Sequence, residues 1–164
     1  MTDNLRNALR PVRPPRTPAI GAIVVLLLFL PACDHLGDEA QGLICDTIYE
    51  ASAYPASTVS FQTDIVPILA NNGCSSQFCH GNTADPPSGF SVLTATDLLG
   101  PGNEAEQLGI CNVVRGDADG SYVVMKLVEA PGIIGERMPF GGGPIAAGDL
   151  QTIRQWITEG APDN

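Results

Sequence analysis

The chain has 164 residues, with 18 acidic and eight basic side chains, two His, five Cys and a formal net charge of −10. That length allows one small domain and excludes a multidomain enzyme, and the charge excludes a basic nucleic-acid binder. An N-terminal segment carries half of the basic residues and much of the hydrophobicity, so it is set apart from the folded part before anything else is read.

Arg6, Arg10, Arg13 and Arg16 precede a 12-residue apolar run from Ala19 to Leu30, which is followed by Pro31-Ala32-Cys33. A positive region followed by a short apolar one is the pattern of an export signal over residues 1–32. The run is shorter than the roughly 17–25 residues of a membrane-spanning helix, so spanning would need the flanks to contribute. Leu30-Pro31-Ala32-Cys33 resembles the bacterial lipobox, although Pro31 is not the commonest residue at its place. The resemblance implies that Cys33 is lipidated and that the exported protein is lipid-anchored in the bacterial cell envelope. From Cys33 onward there are 132 residues, 17 acidic and four basic (Arg115, Lys126, Arg137 and Arg154), a net charge of −13. Such a surface repels anionic lipid and nucleic acid, leaving membrane contact to the covalent anchor, and it steers in partners with basic patches. Acidity that merely keeps an exported protein soluble is an equal reading.

Residues 33–60 are small, polar and acidic, without a sustained period of 3.6 or 2, and suit a tether. The domain is expected over residues 61–164. Thr63 is the expected cap of a helix over Asp64–Asn72, with Pro67 in the first turn and Gly73 as the stop. A Gly/Pro-rich loop runs from Gly81 to Gly89. A short helix is expected around Thr96–Leu99, then a looser stretch to Gly116. In Ser121–Val128, Val123 and Val124 favour a strand, but Tyr122, Met125 and Val128 recur at helical spacing, and helix is preferred. Leu150, Ile153, Trp156 and Ile157 make an apolar stripe on a helix from Asp149 to Glu159, closed by Gly160. The expected class is all-α. Four short helices with long loops leave a small apolar core, which suggests that something else fills the middle.

Gly73-Cys-Ser-Ser-Gln-Phe-Cys-His-Gly81 stands directly after the first expected helix. A Cys-His pair preceded by a second Cys is how a chain holds haem c: two thiols add to the vinyl groups as thioethers, and the imidazole takes the proximal iron position. Here four residues separate Cys74 from Cys79, where two are usual, and Ser76 stands at the usual place of the first Cys. On a helix, residues three apart differ by about 60° and residues five apart by about 140°, so double attachment needs a bulge or loop between them. Single attachment through Cys79, or no haem, are the alternatives. A sixth ligand is offered by Met138 in Arg137-Met-Pro-Phe-Gly-Gly-Gly-Pro144. A thioether is a soft ligand suited to haem iron, and the following Pro and glycines let the loop run close to a flat group. Alone, such a Met is more often a gap-filler.

Phe61…Asp64-Ile-Val-Pro-Ile-Leu69, Cys…Cys-His-Gly81, Val114-Arg-Gly-Asp-Ala-Asp-Gly-Ser-Tyr122, Arg137-Met-Pro139 and Ile153-Arg-Gln-Trp-Ile157 with Gly160-Ala161 together resemble the cytochrome c-like domains of exported bacterial proteins. The resemblance covers about 100 residues, from Phe61 to Pro162, and the ordered series is more specific than any single motif. It implies a small all-α cytochrome c-like fold whose first and last helices cross. It also implies a covalent haem c on Cys74 and Cys79, His80 as proximal and Met138 as distal iron ligand, and one-electron transfer to redox partner proteins rather than enzymatic turnover.

Trp156 is read as plain core burial rather than as a residue with a role at the haem, and is assigned none. Cys45 and Cys111 are left over, and export to an oxidising compartment makes a disulfide between them the natural guess, although counting equally allows pairings with Cys74 or Cys79. Asp117-Ala-Asp-Gly120 is read as a turn with a helix cap rather than a calcium loop, because position 12 is Val128. Gly141-Gly-Gly143 lacks a following Lys-Ser/Thr and is no phosphate cradle. His35 is read as a solvated residue of the tether. The rival reading is a haem-less exported lipoprotein, a binding or structural module with Cys74 and Cys79 in disulfides or, as a minor form, with zinc on those thiols and His80.

Overall fold

Ser60 caps the helical element that opens the expected domain. Its hydroxyl accepts the Thr63 N–H at 3.3 Å, and the Asp64 carboxylate accepts the Ser60 N–H at 2.8 Å, so two otherwise orphaned donors are satisfied reciprocally. The expected cap, Thr63, lies inside this turn instead, because Ser60 can form the two-way pair with Asp64 and its neighbour in sequence cannot. The computed structural model describes Cys45 and residues 48–81, 84–100 and 102–164. The expected signal segment, Cys33, His35 and most of the tether's first half lie outside the described residues.

A wide π turn, Phe61–Ile65, leads into α1, Val66–Asn71. Val66 N–H bonds back five residues to the Phe61 carbonyl. The shift to wider spacing comes just before Pro67, which has no N–H to offer the ladder. At the other end Gly73 takes φ +73°, with Gly73 N–H on the Ala70 carbonyl at 3.0 Å and Cys74 N–H on the Leu69 carbonyl at 2.8 Å. This paired closure is the Schellman motif, and the stop falls at the expected glycine.

α2, Ala95–Leu99, is capped by Thr94, whose hydroxyl accepts Asp97 N–H at 3.0 Å. α3, Asn103–Gln107, occupies part of the stretch expected to be loose. α4, Tyr122–Val128, is helical, as preferred over a strand. Its buried face, however, is Tyr122, Val124 and Leu127, while Val128 is 47% exposed. α5, Ala147–Thr158, starts two residues before the expected Asp149. It buries Ile153, Trp156 and Ile157 and ends in a second Schellman closure, Gly160 N–H to Ile157 at 2.9 Å and Ala161 N–H to Trp156 at 2.8 Å. No strand occurs among the described residues, only an isolated bridge between Val114 and Asp117, so the class is all-α.

The π turn and α5 meet where Phe61 packs on Trp156, ring centroids 5.5 Å apart and both side chains fully buried. The indole N–H donates to the Pro162 carbonyl at 2.9 Å, so the ring pays no polar penalty inside the core. Trp156 therefore serves core burial.

The packed body begins upstream of the expected Phe61. Tyr49 and Tyr54 stack at 5.9 Å, and the Arg115 guanidinium lies 5.6 Å above the Tyr49 ring. Tyr54 presses so close to Gly160 that a Cβ there would come within 2.4 Å of the ring. Thr58 and Val59 N–H groups donate to the buried Glu159 carboxylate at 2.8 and 3.0 Å. Residues 49–60 are thus fastened to the domain through two aromatic rings and one carboxylate, signals too sparse to show as a period. Cys45 and Cys111 form a disulfide with Cα atoms 5.5 Å apart, across 66 residues of sequence.

The helices do not close fully on one another. Side chains from all five α-helices and from the loops between them surround a cavity of about 700 Å³.

Candidate functional site

Cys74, Cys79, His80 and Met138 all line this cavity. The Schellman closure of α1 delivers Cys74 directly past the last helical turn, and the chain then runs to Gly81 as a series of turns. Two backbone bonds gather the loop: His80 N–H to the Cys74 carbonyl at 2.9 Å, and Gly81 N–H to the Ser76 carbonyl at 2.9 Å. The four residues between the thiols are therefore taken up in a non-helical loop, the condition that the spacing imposes. Gly81 has no freedom to be anything larger, since a Cβ would lie 2.0 Å from the Ser75 carbonyl oxygen.

His80 is held on both sides. Its carbonyl accepts Val92 N–H at 3.0 Å, and its Nδ1 lies 2.7 Å from the Phe90 carbonyl oxygen. A carbonyl can only accept, so Nδ1 carries the proton and Nε2 of the neutral ring keeps a lone pair for a metal. The Phe90 ring meets the imidazole edge-on at 5.2 Å, fixing its plane further.

Both thiols are free. Cys74 is half-buried and packs against the core, and burial pushes its thiol above the ordinary range, partly offset by a backbone contact. Cys79 is exposed. Met138, half-buried, packs against the same core and donates its N–H to the Lys126 carbonyl at 2.9 Å. Arg137 beside it donates to the Gly142 carbonyl at 2.7 Å, which closes the loop behind Met138.

The remaining wall is mostly apolar, built from residues such as Ile68, Leu69, Phe90, Val92, Leu127 and Ile153. Its polar part is a group around Lys126, which is only 6% exposed and pairs with Glu104 at 3.0 Å. Phe78 and Phe140 also line the cavity while standing 84% and 74% exposed, so they mark its rim.

An apolar cavity in the size range of cofactor sites, with two free thiols, an imidazole presenting Nε2 and a distant thioether, is a donor set that fits haem c. Zinc fits poorly, because no group of three or more His, Cys, Asp or Glu able to hold a metal comes together among the described residues. Asp117-Ala-Asp-Gly120 forms a turn in which Gly120 N–H donates to Asp117 Oδ1 at 2.9 Å. Ser121 is the cap residue there, but its hydroxyl is spent on Val114 N–H and the Asp117 carbonyl rather than on the helix.

Sequence reasoning missed the Phe90 carbonyl, the Lys126 and Glu104 pair and the two rim phenylalanines. A backbone carbonyl leaves no trace in side-chain identity. Phe78 and Phe140 stood inside the two motifs and could have been found as apolar residues in otherwise polar or glycine-rich loops. No helix among the described residues is long and apolar enough to cross a membrane. Comparisons with protein-family models, with curated proteins and with solved structures find no match to the chain.

Proposed function

We propose that the protein is a one-electron carrier with covalent haem c, a cytochrome c-like domain tethered to the bacterial cell envelope by a lipid on Cys33. The observation that carries the reading is the convergence of Cys74, Cys79, His80 and Met138, separated by up to 64 residues, on one largely apolar cavity. When bound, haem c supplies an iron couple that gains and loses one electron. Cys74 and Cys79 would hold the group covalently, and His80 Nε2 and the Met138 sulfur would hold its iron. His80 is pre-oriented for this by the Phe90 carbonyl, so little conformational freedom is lost on ligation. The largely apolar wall would limit water around the group, and a thioether in place of a second imidazole would favour its reduced state and raise its potential.

The rim at Phe78, Cys79 and Phe140 gives a partner close approach to the cavity, which outer-sphere transfer needs. The surplus of 17 acidic over four basic residues after the signal segment would select basic redox partners and speed their encounter more than it tightens their binding. The rival, a haem-less disulfide-stapled lipoprotein, gains nothing from Cys74 and Cys79, since both thiols are free.

The test is an absorbance spectrum, reduced minus oxidised and again in alkaline pyridine, with the mass of the denatured chain, on protein exported from a host able to attach haem c. A c-type band with the haem mass retained supports the proposal, and its position separates two thioethers from one. No band and no added mass withdraws it.

A further inference from the structure

We infer that Tyr122, Lys126 and Glu104 form a clamp that positions Met138 in the cavity; the inference rests on the proposed haem site. The chain leaves α4 through Glu129, in the left-handed conformation at φ +57°, and reaches Met138 without regular structure. Between those points one residue, Ile134, is held by two side chains through three polar contacts. Ile134 N–H donates to the Tyr122 hydroxyl at 3.0 Å, and the Ile134 carbonyl accepts from Lys126 Nζ at 2.7 Å and lies 3.3 Å from the same hydroxyl. Four residues on, Met138 N–H is held by the Lys126 backbone carbonyl. A single residue, Lys126, thus fixes the loop twice, with its side chain at Ile134 and its backbone at Met138.

Glu104 of α3 completes the arrangement. Its Oε2 accepts from Lys126 Nζ at 3.0 Å and stands 3.3 Å from the Tyr122 hydroxyl. Burying a lysine is costly unless it is paired and hydrogen-bonded, and here Lys126 pairs with Glu104 and donates to the Ile134 carbonyl on the cavity wall. Apolar packing alone would let a loop rich in glycine slide along the wall. Directional bonds to both backbone groups of one residue do not allow that, so they set where the Met138 sulfur can stand. These three are positioning residues: they act through the backbone of the Met138 loop.

The experiment compares full-length wild type with Tyr122→Phe, Glu104→Gln and Glu104→Ala by amide hydrogen exchange, and by the pH at which ferric haem protein loses its sulfur-to-iron absorption. In Tyr122→Phe, exchange at Ile134 and Met138 should rise roughly tenfold, the scale of one lost hydrogen bond, while Ile153 and Trp156 in α5 stay unchanged. The sulfur absorption should be lost at lower pH. Glu104→Gln keeps an acceptor for Lys126 and should behave as wild type, whereas Glu104→Ala should match Tyr122→Phe. Unchanged exchange at Ile134 and Met138 in both disruptive variants, or a rise shared equally by α5, overturns the clamp. If wild type carries no haem, the haem reading fails on that result, and the exchange data on the haem-free chain still decide the clamp.

Discussion

His80 shows how much of a metal ligand's character lies outside the ligand. Its Nδ1 proton is committed to the Phe90 carbonyl, and its backbone is tied to Cys74 on one side and Val92 on the other. The ring is therefore delivered in one tautomer and one orientation, whatever lies in the cavity. Met138 is the softer partner, in a loop whose anchors are hydrogen bonds. Met138→Ala should lower the reduction potential and remove or replace the sixth ligand. A redox titration and spectrum identical to wild type would take Met138 out of the site. That Met138 was a candidate at all depended on its Met-Pro-Phe-Gly setting. The residues that hold it were illegible, because Lys126 and Glu104 stand 22 apart and each reads as an ordinary solvated charge.

Among the elements, α5 was the most legible, since four apolar residues fall on one stripe and a glycine closes it. α3 was invisible by the same logic: among its five residues only Ala105 is buried, so no apolar period exists to be read. α4 was legible as a helix, but its face was misjudged. The alternation Tyr122, Val124, Lys126 is buried because α4 is covered by the Met138 loop on one side and the core on the other. The thiol loop is an element too, and its tightest point is Gly81. Gly81→Ala must displace the Ser75 carbonyl, so we expect a loss of roughly 1–3 kcal/mol of stability, measured by denaturant unfolding, with a lower yield of haem attachment in cells. Full stability and full attachment would mean that the loop relaxes freely.

For the molecule as a whole, stability is concentrated where the two ends of the domain meet. Glu159 accepts from Thr58 N–H, Val59 N–H, the Thr58 hydroxyl and the Gln155 amide. Burial opposes the charged form, but these donors outweigh it and hold the carboxyl at about 2, against an ordinary 4.5. A carboxyl lowered on folding contributes stability that is complete above pH 4.5 and is lost as the pH falls toward 2. Glu159→Gln should therefore cost roughly 1–2 kcal/mol at pH 7 and flatten the acid limb of the stability profile, as read from thermal unfolding between pH 2 and 7. An unaltered acid limb would assign that limb to other groups. The Cys45–Cys111 bridge closes a loop of 66 residues in sequence separation, for which the chain-entropy model gives about 4 kcal/mol. Paired Cys45→Ser and Cys111→Ser substitutions should lower the unfolding free energy by up to that amount while leaving the cavity side chains in place. A stability equal to wild type would show that residues 49–60 hold without the bridge.

That bridge also decides how force travels through the protein. A pull arriving along the chain from the N-terminal side reaches Cys45 and crosses the sulfur bond to Cys111, in the middle of the domain. Residues 48–60, whose grip consists of stacked tyrosines and bonds to Glu159, lie in parallel with that covalent shortcut and are spared the tension. They cannot be peeled away from their upstream end like a zipper. Reducing the bond would change the geometry of loading from shear across the body to peeling at its edge, with no change in any side chain that faces the cavity.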